Sequence, residues 1–418
     1  MNRALLLATL PLLGLGMATP ATAETIHDAI AAAYAGNPAL AAARARQEAL
    51  GETVEQARAG GRLTASVEAE GGYNRFDYGK GGGATATAAL PIWTGGRVSS
   101  AVRAARGDVA AGAEGLRDTE AAVLEAVVTA FANLLYDQQS LEIAQADIAL
   151  LDNQVADARA RFKLGNATRT DVARLEAQRA SAGATLAGAQ ASLAIDSARY
   201  RATVGHEPGT LALGPNAPDA LPGTLDQARE RALAANPLLR QSQRAIEAQD
   251  ARVEQARAGG RPTVSLDGSY GYDANLAAST DRTFPRASSA GLTLRIPILT
   301  GGLIRSQVRQ AEATRRATEY DSDEAGREAV LAVDTAWAAL ISAKAQGDAN
   351  AQSEQAADLA LKGVRAEYAF GLRSTLDILV ADESLRSAQL ALARNRSDLI
   401  IAQAALLHAT GMLNQEAY

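Results

Sequence analysis

The stretch Pro91-Ile92-Trp93-Thr94-Gly95-Gly96 occurs a second time as Pro297-Ile298-Leu299-Thr300-Gly301-Gly302, a shift of 206 residues from Pro91 to Pro297. The same shift places Asp171 on Asp377, and no gap is needed between these points. A chain that matches itself in this way consists of two copies of one structural unit. We therefore interpret the sequence as copy one followed by copy two.

Each repeated stretch is predicted to join a strand to a helix. Ahead of the second stretch, apolar and polar residues alternate from Leu292 to Ile296, as in a strand with unlike faces. Proline has no N–H to donate and ends a sheet ladder, and two glycines then let the backbone turn. The sequence therefore predicts two strand–helix junctions, formed by Pro91, Gly95, Gly96, Pro297, Gly301 and Gly302.

The composition favours closely packed helices over thick globular domains. The chain has 418 residues, a net charge of −6, no cysteine and only 4% aromatic residues. Alanine is abundant where larger side chains would fill a globular core. The mild acidity is unlike the clustered basic face of a nucleic-acid-binding protein, so no nucleic acid partner is expected.

Sequence patterns typical of enzymes are missing. The histidines His27, His206 and His408 lie far apart, and none belongs to an H-E-x-x-H pattern. The glycine-rich run from Gly79 to Gly83 lacks the Lys-Ser/Thr of a phosphate-binding loop and is interpreted as a turn. We therefore expect no enzymatic activity, no metal site and no cofactor, and we expect the histidines to be surface or packing residues.

Residues 1–23 are predicted to be a secretory signal peptide. Arg3 supplies the positive start, residues 4–16 the apolar run, and Ala21-Thr22-Ala23 a small-residue cleavage site. A membrane anchor is the alternative, but the apolar run is short for a span of ~20 residues. The mature chain is therefore expected outside the cytoplasm.

Each copy is predicted to contain one hairpin of two amphipathic strands, at 63–70 and 84–92 in copy one and at 264–273 and 287–298 in copy two. The stretch Glu55–Arg62 recurs as Glu254–Arg261, a shift of 199 residues, so copy two has seven extra residues before Pro297. We place them at an exposed loop tip. The strands suit either a membrane barrel, which needs ~9–11 residues per strand, or a soluble hairpin.

Two very long helices are predicted, from Gly96 to Lys163 and from Gly302 to Tyr368, because neither range contains proline. Each would span roughly 100 Å at ~1.5 Å per residue. In copy two, Gly347 interrupts a coiled-coil register and predicts a local change of packing. Copy one keeps that register at strict seven-residue steps, with Val127, Leu134, Leu141, Ile148, Val155 and Phe162.

Each long helix is predicted to end in a tight turn, followed by a return helix with an N-cap at Thr168-x-x-Asp171 or Ser374-x-x-Asp377. One continuous shorter helix is expected to open each copy, the first running from Thr25 to about Gly60. The predicted fold is mixed α and β, mainly α, with an internal two-fold repeat. Its units are helix-hairpin-helix-helix repeats at 24–207 and 224–418, joined by a Pro-rich linker at 208–223.

Four strands cannot close a membrane barrel alone, because the smallest barrels have eight. An open sheet in lipid would leave edge N–H and C=O groups unpaired, at several kcal/mol each. If these strands lie in a membrane, several chains must share one barrel. The attached long helices would continue that ring as a tube, which is the geometry of a conduit.

The ordered set of motifs resembles the TolC family of outer-membrane efflux proteins over essentially all of residues 24–415. The motifs are Asn-Pro helix starts at 37 and 236, the two junctions, and the turn sequences Arg161–Asp171 and Tyr368–Asp377. The resemblance implies a homotrimer in which four strands per chain contribute to a shared transmembrane β-barrel in outer-membrane lipid. It also implies an α-barrel across the periplasm, docked to a periplasmic adaptor protein and an inner-membrane transporter, for drug efflux or type I protein secretion.

The resemblance further implies that the tight turns form the periplasmic entrance of the channel. In the closed state, Tyr368 and Arg373 of copy two would hold Thr170 and Asp171 of copy one, and Asp377 would belong to an acidic ring. The residues expected to contact the adaptor are Leu164, Gly165, Asn166, Phe370, Gly371 and Leu372.

Two alternatives stay open at this point. Asp171 and Asp377 could serve as helix caps, a role compatible with gating. The family pattern can include a second acid three residues after Asp377. That position is Val380 here, with Asp382 and Glu383 nearby.

For the whole chain, the alternative is a soluble periplasmic coiled-coil scaffold or adaptor protein, which would not need amphipathic strands.

Overall fold

The computed structural model describes residues 23–74, 79–212, 221–275 and 286–418. The expected signal peptide up to residue 22, the tips of both hairpins and the middle of the Pro-rich linker lie outside the described residues. Copy one contains α1 (Ile26–Gly36), α2 (Pro38–Ala59), β1 (Thr64–Asn74), β2 (Gly79–Trp93), α3 (Arg97–Lys163) and α4 (Arg169–Val204). Copy two contains α5 (Leu225–Ala235), α6 (Pro237–Ala258), β3 (Thr263–Asn275), β4 (Arg286–Arg295), α7 (Leu303–Ala369) and α8 (Thr375–Ala409).

The four strands form one antiparallel sheet in the order β1-β2-β3-β4. Thr64 lies opposite Ala89 in the first hairpin, and Thr263 lies opposite Arg295 in the second. The shifts of 199 and 206 residues therefore relate the two hairpins pair by pair. The copies meet where β2 pairs with β3, with Ala89 opposite Asp267. In the described chain β1 and β4 are the outer strands, and each has one unpaired edge.

The strand ends differ from the prediction in three places. Residues 79–83 are not a turn but open β2, where their backbone pairs with β1. β2 also continues past Pro91 to Trp93, across a shift in register that accommodates the missing N–H of proline. β4 ends at Arg295, because its partner β3 begins at Thr263, directly opposite.

The two faces of the sheet differ in chemistry, as the alternation predicts. One face exposes the large apolar side chains of Leu266, Tyr270 and Leu292, among others. The opposite face carries hydroxyl groups and carboxylates, and there the hydroxyls of Ser66 and Thr87 are 2.9 Å apart. A sheet of this kind can separate an apolar phase from water.

The helix that opens each copy is broken in two, which corrects the prediction of one continuous helix. α1 and α2 are separated at Asn37, whose backbone is extended and whose Oδ1 accepts a hydrogen bond from the N–H of Ala39 at 2.8 Å. Pro38 then begins α2, at a position that needs no intrahelical N–H bond. Asn236 separates α5 from α6 in the same way.

Both predicted long helices are confirmed, and each has 67 residues. α3 packs against α2 and α6 toward the sheet and against α4 and α8 toward the turns, while α7 packs against α6 and α8. One 18-residue window of α3 is apolar enough to cross a membrane by composition alone. Half of that window is buried inside the chain.

The largest apolar core surrounds the middle of α3. Phe131 and Val127 are fully buried there, against residues of α1, α4 and α8. The predicted seven-residue seam is buried at Val127, Leu134 and Val155, whereas Phe162 at the end of α3 is 47% exposed. The seam therefore loosens toward the turn.

In copy two, the seam between α7 and α8 is interrupted by a polar contact, as the register at Gly347 predicts. Asn395 of α8 is buried and donates from Nδ2 to the carbonyl of Ala343 at 2.9 Å. A Cβ at position 347 would lie 2.9 Å from Oδ1 of Asn395, so glycine makes room for this amide. A buried asparagine of this kind fixes the relative position of two packed helices.

A charged cluster links α8 of copy two to α3 of copy one. His408 Nδ1 lies 2.5 Å from Glu125 Oε2, and its Nε2 lies 3.4 Å from Asp118 Oδ1. Hydrogen bonding to Asp118 and Glu125 raises the pKa of His408 from 6.5 to about 9. This histidine is therefore an ion-pairing group rather than the surface or packing residue expected from the sequence.

We expect the His408 cluster to make stability depend on pH in the alkaline range. The pKa in the folded state exceeds the unfolded value, so the stabilisation is complete below 6.5 and is lost as the pH rises toward about 9. It amounts to at most ~3 kcal/mol, reduced by partial exposure. Thermal unfolding of the wild type and His408→Gln, followed by circular dichroism, should differ at neutral pH and converge above the folded-state pKa. A difference that stays constant over this range would contradict the assignment.

Candidate functional site: the helical turns and the strand–helix junctions

The first turn joins α3 to α4 and is held by its own backbone. Gly165 has a φ of +79°, and the N–H of Asn166 bonds to the carbonyl of Arg161 at 2.8 Å. The hydroxyl of Thr168 accepts from the N–H of Asp171 at 3.2 Å, and Asp171 Oδ2 accepts from the N–H of Thr168 at 3.0 Å. This reciprocal pair is a capping box, which fixes the start of α4.

The second turn repeats this geometry between α7 and α8. Gly371 has a φ of +75°, and the N–H of Leu372 bonds to the carbonyl of Glu367 at 3.0 Å. Ser374 and Asp377 form the second capping box, with the N–H of Ser374 2.8 Å from Asp377 Oδ2. The prediction that both return helices begin with N-caps is confirmed.

The caps also fix the charge of the two aspartates. Hydrogen bonds from Thr168 hold the pKa of Asp171 below its ordinary value, and bonds from Ser374 do the same for the pKa of Asp377. Both carboxylates are therefore ionised at neutral pH, and each lies at a helix N-terminus, where negative charge is favoured. Each return helix therefore begins with one ionised carboxylate in its capping box.

Large apolar side chains project from both turns into solvent. Leu164 is 76% exposed, Phe370 is 83% exposed and Leu372 is 74% exposed. An apolar group rimmed by charged residues is typical of a surface that binds another protein. The ends of the two long helices therefore present a surface suited to a protein partner.

Tyr368 connects the two turns. The guanidinium carbon of Arg161 lies 5.6 Å from the centroid of its ring, and its hydroxyl lies 3.5 Å from Thr375 Oγ1. Tyr368 and Asp171 line the same cavity of about 130 Å³. The structure therefore places Tyr368 of copy two and Asp171 of copy one around one cavity between the two turns.

Arg373 has a different partner from the expected one. Its Nε donates to Glu367 Oε2 at 2.6 Å, and this bond raises the pKa of the guanidinium. Among the residues that the structure describes, Arg373 is not hydrogen-bonded to Thr170 or Asp171. The link from Arg373 to Asp171 is therefore not formed in the single chain, because Glu367 on the preceding helix holds the guanidinium.

The acids near Val380 are held among the helices by arginines. Burial raises the pKa of Asp382, which lies 3.3 Å from Arg365. Glu383 pairs with Arg386, which also pairs with Asp147 of α3. Asp382 and Glu383 are therefore both paired with arginines within the chain.

The pair between Arg386 and Asp147 is a contact that sequence reasoning missed. The side chain of Asp147 is 6% exposed and that of Arg386 is 14% exposed. A signal was available, because Asp147 lies three residues after Ala144 and four before Leu151, on a stripe that is otherwise buried and apolar. A charge in that position needs an opposite charge on a facing helix.

The strand–helix junctions have the same backbone in both copies. The φ angles are +64° and +90° at Gly95 and Gly96, and +58° and +82° at Gly301 and Gly302. A side chain would be strained in this left-handed region, so the turn requires the glycine pair. The predicted change from strand to helix is confirmed at both places.

Comparison with known proteins identifies relatives over both copies. A family model described as outer membrane efflux protein matches residues 29–206 and 228–412. The outer membrane efflux protein BepC of Brucella suis is 32% identical over 399 residues, which is 95% of this chain and 87% of BepC. The alkaline protease secretion protein AprF of Pseudomonas aeruginosa is 29% identical over 312 residues, which is 72% of this chain and 64% of AprF.

A solved structure shares the fold. The outer membrane protein VceC of Vibrio cholerae aligns with a TM-score of 0.76 at 23% identity, covering 92% of this chain and 96% of VceC. The resemblance inferred from the junctions and turns is confirmed. The chain therefore belongs to the outer membrane efflux protein family and is an outer-membrane protein of the channel type with a periplasmic helical body.

Proposed function

We propose that the chain is one subunit of a homotrimeric channel that forms the outer-membrane exit of a tripartite export system. Four strands from each of three chains would close one barrel in lipid, and the helices would extend it across the periplasm. An inner-membrane transporter would feed this duct through a periplasmic adaptor protein. The cargo would be small molecules or unfolded proteins, in line with relatives named for efflux and for protease secretion.

The observation that carries this proposal is the open amphipathic sheet. The unpaired edges of β1 and β4 would cost several kcal/mol for each buried polar group in lipid. Pairing with further copies of the chain removes both edges. A soluble scaffold or adaptor has no use for a face that exposes Leu266, Leu292 and Leu294, and membership of an outer-membrane family also argues against it.

A trimer is the first expected result. Detergent-purified protein should have the mass of three chains of 43.2 kDa less the signal peptide, measured by light scattering with the detergent contribution subtracted. It should also be recovered in the outer-membrane fraction. The mass of one or two chains would defeat the proposal, and recovery in the soluble periplasm would favour the scaffold.

We propose that the adaptor contacts the exposed residues of the two turns. The apolar side chains Leu164, Phe370 and Leu372 would supply the buried contacts, and the glycines let both turns project. The complete set in this proposal is Leu164, Gly165, Asn166, Phe370, Gly371 and Leu372.

We propose that the same turns close the entrance. Tyr368 already lies beside Asp171 in one cavity. In the closed trimer, Arg373 would exchange Glu367 for Thr170 and Asp171, and Asp377 would contribute to an acidic ring. Each of these links would be repeated three times around the axis.

Loss of the entrance links is expected to open the channel. Each exposed link is weak by itself, but three of them act together on a two-state entrance and can shift its equilibrium. Tyr368→Phe combined with Arg373→Ser should therefore raise single-channel conductance in planar bilayers without lowering trimer stability. Phenylalanine keeps the ring against Arg161, so Tyr368→Phe removes only the hydroxyl, while Arg373→Ser removes the charged side chain.

A matched control removes the same groups far from the turns. Tyr320 is 71% exposed on α7, and Arg244 is exposed on α6, so Tyr320→Phe with Arg244→Ser should leave conductance unchanged. Wild-type conductance in the entrance variant, in a trimer of normal stability, would leave Tyr368 and Arg373 as packing groups only.

A further inference from the structure

The two strand–helix junctions share a backbone but differ in their surroundings. Gly95 is buried, and a Cβ there would lie 2.8 Å from Arg261 Cβ and 3.0 Å from the carbonyl oxygen of Pro262. Arg261 also donates from Nη1 to the carbonyl of Gly95 at 3.2 Å. Gly301, the equivalent in copy two, is exposed, and a Cβ there would meet nothing within 4 Å. The surface that Arg261 covers in copy one is therefore uncovered in copy two.

The chain itself contains the residue that fits this surface. Arg261 ends the stretch that recurs in copy one, where its equivalent is Arg62. Arg62 is exposed and pairs with Glu55, as Arg261 pairs with Glu254. Arg62 precedes β1, at the opposite edge of the sheet from the junction after β4. Only a second copy of the chain can therefore place Arg62 on Gly301.

We propose that β4 pairs with β1 of a second copy in the register that β2 and β3 use within the chain. This inference rests on the proposed function, because it describes the seam of the shared barrel. The equivalent of a β2 residue in β4 has a number higher by 206, and the equivalent of a β3 residue in β1 has a number lower by 199. The observed pair Ala89–Asp267 therefore corresponds to a pair between Arg295 and Glu68 of the second copy. The same conversion turns Thr87–Ser269 into Thr293–Glu70.

The observed hairpins support this conversion. Applied to the pair Thr64–Ala89 of the first hairpin, the two shifts give Thr263–Arg295, which is the pair observed in the second hairpin. The shifts therefore hold through the strands, and the seven extra residues of copy two fall between β3 and β4. The register of the seam is independent of that loop.

Charge complementarity favours the same register. Glu68 lies on the polar face of β1, and Arg295 lies on the polar face of β4. The proposed pairing sets Arg295 directly opposite Glu68 of the second copy, and opposite charges in that position stabilise a ladder. A slip of one residue would move β4 side chains to the wrong face. The equivalent pair within the chain, Ala89 and Asp267, has no such attraction. The charge pair would therefore occur only between two copies of the chain.

The helices next to the sheet fit the seam as well. α3 and α6 approach closely at Gly107, where a Cβ would lie 2.9 Å from Ala248. The equivalent of Gly107 in copy two is Ala313 of α7, and the equivalent of Ala248 in copy one is Ala49 of α2. The proposed seam therefore places Ala313 against Ala49 of the second copy. Both alanines are exposed in the single chain, and their small side chains allow a similarly close approach.

Cysteine pairs test the register directly, because the chain has no cysteine of its own. Thr293→Cys with Glu70→Cys should link chains into dimers and trimers on non-reducing gels, since the Cα atoms of opposed residues lie ~4.5–5.5 Å apart, within the range of a disulfide. The matched control, Thr87→Cys with Ser269→Cys, should form a disulfide within one chain. In Thr293→Cys with Glu68→Cys, the second cysteine lies two residues away from the position opposite Thr293. This pair should stay unlinked, because the Cα atoms of such diagonal neighbours lie ~7–8 Å apart, too far for a disulfide.

The outcomes distinguish an error in the proposed register from an error in the proposed shared barrel. Linking of the slipped pair, or no interchain link in a protein of trimer mass, would overturn the register and leave the shared barrel standing. A single-chain mass with no interchain link would refute the shared barrel itself. Independently, Arg295→Glu should lower the fraction of heat-resistant trimer, and Glu68→Arg added to it should restore that fraction. Failure of the restoration would overturn the ion pair.

Discussion

Leu292→Arg is expected to prevent assembly in the outer membrane, whereas Thr293→Arg is expected to be tolerated. Leu292 lies on the apolar face of β4, directly opposite Leu266, and Thr293 lies on the polar face, opposite Ser265. An arginine on the lipid face near the midplane costs ~2–4 kcal/mol, and a trimer would repeat that cost in each subunit. On the polar face the same side chain remains in water.

The measurement is the fraction of heat-resistant trimer in outer-membrane extracts. Leu292→Ala serves as the control for loss of the leucine side chain, because it shortens the residue without adding charge. It should reduce the trimer far less than Leu292→Arg. Similar losses in the two arginine variants would show that the faces of the sheet are assigned wrongly.

Arg386→Met is expected to destabilise the helical body by ~3–5 kcal/mol, because it leaves a buried carboxylate without its partner. Asp147 is almost fully buried, and its Oδ1 has no hydrogen-bond partner among the described residues. Methionine keeps much of the length of the arginine but offers no charge. The helix signal in circular dichroism should therefore be lost at a clearly lower temperature than in the wild type.

Two further variants separate this effect from a general loss of charge. Asp147→Leu combined with Arg386→Met should recover most of the stability, since an apolar pair often replaces a buried ion pair at little cost. Arg373→Met removes an arginine from an exposed pair with Glu367 and should leave the unfolding temperature close to that of the wild type. Wild-type stability of the single Arg386→Met variant would contradict the assignment.

The turns and junctions could be predicted from the sequence because neighbouring residues determine them. A capping box such as Thr168 with Asp171 is complete within four positions, and a glycine such as Gly165 is favoured by its own backbone angle. The hairpins follow from alternation in the same way. The break at Asn37 follows a local rule as well: proline is tolerated in the first turn of a helix but not in its interior, so Pro38 begins α2 instead of continuing the helix from Thr25.

Contacts between distant helices could not be predicted in this way. The pairing of Arg386 with Asp147 depends on how α8 is rotated against α3, and sequence spacing within one helix does not determine that rotation. Arg373 has both Glu367 and Asp377 close by in sequence, and the turn geometry selects Glu367. The repeat alone does not show that Arg261 covers the junction at Gly95 while the equivalent surface at Gly301 is open, because this depends on which strand lies next to each junction.

The equal length of α3 and α7 restricts how this protein can change in evolution. Both have 67 residues, and inserting one residue in either would shift its turn by ~1.5 Å relative to the other. Tyr368 would then lose its place beside Arg161. A bacterial lineage with a deeper periplasm could lengthen this protein only by adding the same number of residues to both copies, and to their return helices. Unmatched insertions are expected only where they do not set the reach of the helices, and the seven extra residues of copy two, between Arg261 and Pro297, lie outside both long helices.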